Sequence, residues 1–310
     1  MVGNSILSAT NLSCRYNGKE VIGDLNISLQ AGDILGLLGA NGVGKTTTLK
    51  ILAGVFAPHS GSVKICGHDI ALQPIAAKSN LGYLPEEAPL YSDVTVDEYL
   101  DFCAAIRNVP ISARPNAIDS AKQRCGLADV GKRLIANLSK GYKQRIGIAQ
   151  AIVHNPAVLI LDEPTNGLEP NQIRDVRELV QDLAAASQGL IISTHLLAEV
   201  QTLCNKVAIL HAGRFAYQGA LDKHQQTMVV ELAPSPSLEF FESVVNVSKV
   251  IAFDGRRVVL DCDDRQAVTD AIIAHSVERG LSVVEITSGQ SHLEQLFFDI
   301  TSGNGGLAND

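Results

Sequence analysis

Apolar positions along the chain fall into distinct patterns. Ile6–Leu12 and Asn26–Gln30 carry alternating and β-branched residues, with Asn17-Gly18 between them, which predicts two strands and a turn. Asp33–Leu38, Ala157–Leu161 and Leu190–Ser193 are short apolar runs, as expected of buried strands. A turn-rich patch, Pro58–Ser62, precedes a further strand, Val63–Cys66. Lys45–Ala53 reads as a helix and Gln172–Ala186 as an amphipathic one, and the stretch from about Val96 to Gly126 is mostly helical. Pro110 and Pro115 are expected to break that stretch into pieces. Strands alternating with helices predict an α/β fold with a largely parallel sheet.

The pattern changes near Ala220. Pro234, Ser235, Pro236 and Ser237 form a breaker cluster. Beyond it, Arg257–Cys262 and Leu281–Thr287 predict strands, Gln266–Arg279 a helix between them, and His292–Ile300 a last short helix. Ser302–Asp310, rich in Gly and Asn, reads as a frayed tail. The 310 residues therefore divide into a domain over 1–221 and a small α+β appendage over 222–310.

Charge sharpens this division. Up to Leu221 there are 19 basic and 19 acidic residues, and after it 6 and 14, so the net charge of −8 sits in the C-terminal part. That balance argues against a nucleic-acid partner, which needs a basic surface. No apolar run approaches the roughly 18 residues that cross a bilayer, and Met1–Ser5 lacks the basic start of a signal peptide. The six cysteines are scattered without a Cys-x-x-Cys, which predicts reduced thiols and neither a disulfide framework nor a zinc site.

Gly39-Ala40-Asn41-Gly42-Val43-Gly44-Lys45-Thr46 matches the phosphate-loop pattern in full, after a buried strand and before a helix. Glycines at Gly39, Gly42 and Gly44 let backbone N–H groups converge on a phosphate. The helix N-terminus adds partial positive charge there. Lys45 adds a full charge for the β- and γ-phosphates, the Thr46 hydroxyl is placed for Mg²⁺, and Thr47 for the α-phosphate region. A strand ending in Asp162-Glu163 supplies the carboxylates: Asp162 for Mg²⁺ through water, and Glu163 to polarise an attacking water.

With the stretch Leu138-Ser139-Lys140-Gly141-Tyr142-Lys143-Gln144-Arg145, the chain from about Ile6 to Gly219 resembles the nucleotide-binding subunits of ATP-binding-cassette (ABC) transporters. The resemblance implies a P-loop ATPase fold: a RecA-like core, an antiparallel β subdomain and a helical subdomain at about 86–150. It implies that Tyr16 stacks on adenine, and that Ser139 and Gly141 approach the γ-phosphate bound to a second copy in a head-to-tail dimer. It further implies that His195 contacts the γ-phosphate of its own site. Three positions depart from the family pattern. Glu86 stands where glutamine is usual, leaving a carboxylate able to reach Mg²⁺ or water; Lys140 replaces glycine; Glu169 replaces aspartate. Tyr83–Glu86, Leu138–Tyr142 and His292–Phe297 look like the type-2 exporter class, and within it like gliding-motility-type, multidrug or polysaccharide export ATPases.

The expected activity is Mg²⁺-dependent ATP hydrolysis driving a separate transmembrane permease from the cytoplasmic face of the membrane. In the family, a short helix of the permease docks in a groove beside the helical subdomain, so some of Leu90, Tyr91, Val94, Val96, Tyr99, Leu100 and Phe102 are expected to line it. The competing reading is a soluble ABC ATPase acting on ribosomes or DNA. Neither the second cassette nor the long insertions of those branches is present, and the acidic C-terminal part disfavours nucleic acid.

Overall fold

The computed structural model describes residues 5–221, 226–234, 236–262, 264–289 and 292–301. The chain forms two compact units, Met1–Leu221 and Asp222–Asp310. The first unit opens with β1 (Leu7–Tyr16), β2 (Lys19–Leu29), β3 (Ile34–Leu38), α1 (Lys45–Leu52), β4 (Ser60–Ile65), β5 (His68–Asp69), α2 (Pro74–Ser79) and β6 (Leu81–Leu84). It continues with α3 (Val96–Ile106), α4 (Arg114–Arg124), α5 (Lys140–Ile152), β7 (Val158–Asp162), α6 (Pro170–Ala185), β8 (Gly189–Thr194), α7 (Leu197–Leu203), β9 (Lys206–His211) and β10 (Arg214–Ala220).

A six-stranded sheet of order β10-β9-β3-β8-β7-β6 forms the centre. All its neighbours are parallel except the edge strand β10. The apolar runs of β3, β7 and β8 are buried along their whole length, as strands covered on both faces must be. On one face, Leu35, Leu37, Ile160 and Ile191 join Leu49, Ile51 and Leu52 of α1 in a single core. That core continues into the antiparallel sheet β2-β1-β4-β5 through Leu7, Leu12, Leu25 and Ile65. Gly36 and Gly82 mark the opposite face. A Cβ on Gly36 would lie 2.9 Å from Val200 of α7, and one on Gly82 would run into the backbone of Ala151 in α5.

Pro110 lies between α3 and α4, as expected of a breaker. Pro115 does not break the chain. It occupies the first turn of α4, where its missing N–H has no intrahelical acceptor to lose. α3 starts at a capping box: the Glu98 N–H donates to Thr95 Oγ1 at 3.3 Å, and the Thr95 N–H donates to Glu98 Oε2 at 2.8 Å.

The second unit runs β11 (Gln226–Ala233), α8 (Leu238–Glu242), β12 (Val247–Phe253), β13 (Arg257–Cys262), α9 (Arg265–Glu278), β14 (Ser282–Ser288) and α10 (His292–Thr301). Its sheet has the order β12-β13-β11-β14 with every neighbour antiparallel. That order and the β-α-β-β-α-β succession make a ferredoxin-like split βαβ, followed by α10. Met228, Val230 and Leu232, two residues apart on β11, meet Val258, Leu260 and Cys262 of β13 and Phe240 and Phe241 of α8 in its core. The expected tail Ser302–Asp310 lies outside the described residues.

None of the six cysteines, all among the described residues, forms a disulfide. Among the described residues, no helix is long and apolar enough to cross a membrane.

Candidate functional site

The site lies at the C-terminal ends of β3, β7 and β8, the edge where open parallel sheets bind ligands. β3 ends at Leu38 and the chain turns through Gly39–Gly44 into α1. Gly42 and Gly44 take φ of +80° and +110°, and Gly44 forms the N-terminal cap of α1. A Cβ on Gly44 would also press to 2.8 Å from Ile22. Beside Gly42 there is open space, which leaves the backbone free for close approach.

A cavity of about 350 Å³ opens there. It is lined by Asn41, Gly42, Gly44, Lys45, Thr46, Thr47, Glu86, Glu163 and His195, and by Val21 and Asn166. The Lys45 ammonium donates to the carbonyls of Gly39 (2.8 Å) and Ala40 (3.2 Å) and lies 3.6 Å from Glu163 Oε1. His195 Nδ1 is 3.0 Å from Glu163 Oε2. One carboxylate thus lies between a buried cation and an imidazole.

Glu163 adopts φ +49°, a left-handed conformation that L side chains rarely take. Its N–H donates to Ser193 Oγ (2.9 Å) and to the Ser193 carbonyl (3.2 Å), which holds the turn against β8. The same Ser193 hydroxyl donates to Asp162 Oδ1 at 2.6 Å. Ser193 and Asp162 stand opposite each other in the β7–β8 register, so one hydroxyl fixes both carboxylate-bearing residues.

Asp162 is fully buried, and its Oδ2 has no hydrogen-bond partner. A buried carboxylate oxygen with nothing to accept suits a hydrated cation. Burial and the nearby Asp162 push the Tyr83 hydroxyl up to about 12. Among the described residues, no three His, Cys, Asp or Glu side chains gather as a metal cage. Mg²⁺ is ordinarily held by one or two carboxylates together with phosphate oxygens and water, so this donor set fits Mg²⁺ arriving with a nucleotide.

Five residues singled out in the sequence do not line the cavity. Gly39 and Asp162 lie behind it, in the hydrogen bonds just described. Tyr16, at the end of β1, is 72% exposed. Ser139 caps α5, where its hydroxyl accepts from the Tyr142 N–H at 3.5 Å. Gly141 is buried, and a Cβ there would lie 2.5 Å from Gln172. Val21 and Asn166 are additions that no spacing pattern marks. Ser193 had a signal in the sequence, being the polar residue that closes an otherwise apolar run.

Comparison with known proteins identifies the family. Residues 22–166 match the ABC transporter family. The bacitracin transport ATP-binding protein BcrA of Bacillus licheniformis is 33% identical across 97% of this chain and 98% of its own length. The ABC transporter ATP-binding protein NatA of Bacillus subtilis is 32% identical over 70% of this chain and 90% of its own. The linearmycin resistance ATP-binding protein LnrL of Bacillus subtilis is 27% identical over 96% and 98%. A solved ATP-binding subunit of an ABC transporter superposes with a TM-score of 0.65 at 31% identity, covering 70% of this chain and 91% of that one. The chain therefore belongs to the ATP-binding subunits of ABC transporters, and it is an ATPase.

Proposed function

We propose that this subunit powers an exporter, hydrolysing ATP in a head-to-tail dimer and driving a separate permease from the cytoplasmic face of the membrane. One observation carries the dimer. The cavity gathers Lys45, Glu163 and His195 on one chain, while Ser139 and Gly141 lie outside it. A γ-phosphate in that cavity is enclosed only when a second copy presents its own Ser139 and Gly141. Two copies related by a twofold axis then share two ATP molecules. Export is supported by the antibiotic transport and resistance named for the relatives that align along nearly the whole chain.

In this reading Tyr16 stacks on the adenine, and the Gly39–Gly44 backbone, Lys45 and Thr47 bind the phosphates. Thr46, Asp162 and Glu86 are the residues that would hold Mg²⁺, whose charge would offset that of the phosphate oxygens. Glu163 accepts a proton from the attacking water, and His195 orients Glu163 and contacts the γ-phosphate. Hydrolysis breaks the bond between the β- and γ-phosphates.

For the expected permease groove, exposure leaves fewer candidate residues than the sequence does. Val96, Tyr99 and Leu100 are buried in the helical subdomain and cannot line it. Tyr91 and Phe102 are exposed, their ring centroids 5.6 Å apart, and are the better candidates. Light scattering of Glu163→Gln tests the dimer. Mass is expected to double on saturation with ATP, and an unchanged mass would count against the shared site.

A further inference from the structure

We propose that Glu199 is a positioning residue that ties the turn carrying His195 to the loop after Glu163, and through that loop to the helix that begins at Ser139. Glu199 lies on α7 and is 3% exposed. Its Oε2 accepts from Thr194 Oγ1 at 2.7 Å, and its Oε1 accepts from Thr165 Oγ1. Thr194 immediately precedes His195, and Thr165 follows Glu163 by two residues. One carboxylate therefore joins the last residue of β8 to the loop that follows β7.

Both linkages continue. Thr194 Oγ1 accepts from the Leu196 N–H at 3.0 Å, which brackets His195 between two fixed neighbours. Pro164, beside Thr165, offers its carbonyl to the buried Gln144 side-chain amide at 2.9 Å. Gln144 is on α5, whose cap is Ser139. Further along the same loop, a Cβ on Gly167 would run into the Lys140 ammonium, so α5 touches the loop twice. The loop after Glu163 is gripped by α5 on one side and by Glu199 on the other.

The chemistry of the group explains why it is a carboxylate. Burying one is costly, and two neutral hydroxyls offset only part of that cost, so a close-packed apolar side chain would serve stability better. A carboxylate, however, can only accept. It obliges both threonine hydroxyls to donate toward it, and this leaves the Thr194 oxygen as the acceptor for Leu196. The arrangement fixes hydroxyl direction, and with it the His195 turn.

This rests on the reading that Ser139 serves the nucleotide bound to a second copy. A shift of the His195 turn at one nucleotide then reaches, through Glu199, Thr165, Pro164 and Gln144, the helix that closes on the other. The test measures ATP hydrolysis by the full chain against ATP concentration, with nucleotide affinity and thermal midpoint measured in parallel. The wild type is expected to be cooperative, with a Hill coefficient approaching about 2, the number of sites. Glu199→Ala and the near-isosteric Thr165→Val should each bring it to about 1 and lower turnover about five- to tenfold, with ATP affinity kept within about twofold. Glu199→Gln should restore cooperativity only in part, because its amide oxygen can accept from one hydroxyl while its nitrogen must donate to the other and reverse that hydroxyl's direction. The double variant Glu199→Ala with Thr165→Val should be no worse than either single one, as members of one link are not additive. Should Glu199→Ala fail to fold, Thr165→Val decides alone. A cooperative wild type whose Thr165→Val variant keeps its Hill coefficient and turnover overturns this proposal only. A non-cooperative wild type whose mass is unchanged by ATP overturns the two-copy reading beneath it.

Discussion

At the scale of single residues, Glu163 combines an unusual backbone with two side-chain contacts. Its left-handed φ is held by Ser193, and its carboxylate lies between Lys45 and His195. Replacing it by glutamine preserves shape and removes the base. Glu163→Gln should bind ATP normally and release phosphate ~10²–10⁴ times more slowly, as read by steady-state phosphate assay. Lys45→Ala should instead weaken nucleotide binding, because the charge facing the phosphates is gone. Gly167 has φ +69° and the Lys140 ammonium against its α-carbon. Gly167→Ala should destabilise the first unit by roughly 1 kcal/mol or more in a urea titration. Much of the site was legible in the sequence because the phosphate loop and Asp162-Glu163 are contiguous motifs. The links from Glu199 to Thr165 and from Gln144 to Pro164 were not, since they span 34 and 20 residues and no spacing rule connects them.

At the scale of elements, the sequence pattern was clearest where burial is complete on both faces or strictly periodic. β3, β7, β8, α6 and α9 lie within two residues of the boundaries that their apolar patterns predict. β9 through β12 are not legible in the pattern: the four consecutive apolar residues of β9 do not by themselves separate a strand from a buried helical turn, and β12, an edge strand, has register shifts that break its period. One helix end offers a pH test. His154 follows α5, and its Nε2 lies 3.1 Å from the Leu81 carbonyl. Burial first, then the charge of Arg107, lowers its pKa from 6.5 to about 4. The folded state therefore binds fewer protons than the unfolded one between those values, and stability is lost as pH falls through that window. The loss amounts to on the order of 3 kcal/mol at its full extent. His154→Leu should move the acid unfolding midpoint of the first unit to lower pH, followed by circular dichroism. At the other end of the helical subdomain, Thr95→Ala removes the α3 cap and should cost about 1 kcal/mol in the same assay.

At the scale of the whole molecule, an engine must present a surface to what it drives. Tyr91 and Phe102 are exposed on the helical subdomain; the Tyr91 ring meets Phe102 at a tilt and the buried Tyr99 edge-on. Tyr91→Glu and Phe102→Glu should leave basal ATP hydrolysis largely intact while abolishing co-sedimentation with membranes that carry the permease. The order of strands has a further consequence, for the birth of the protein. β3, which leads into the phosphate loop, ends at Leu38, but its sheet neighbours β8 and β9 begin only at Gly189 and Lys206. At roughly 5–20 residues per second of synthesis, a gap of about 150 residues leaves that apolar strand waiting for about 8–30 s. During this interval its edges, and the face that α7 later covers at Gly36, are open to any other nascent strand. A message truncated before residue 189 should therefore yield an insoluble product, and the growing chain should depend on chaperones until its two central neighbours have emerged from the ribosome.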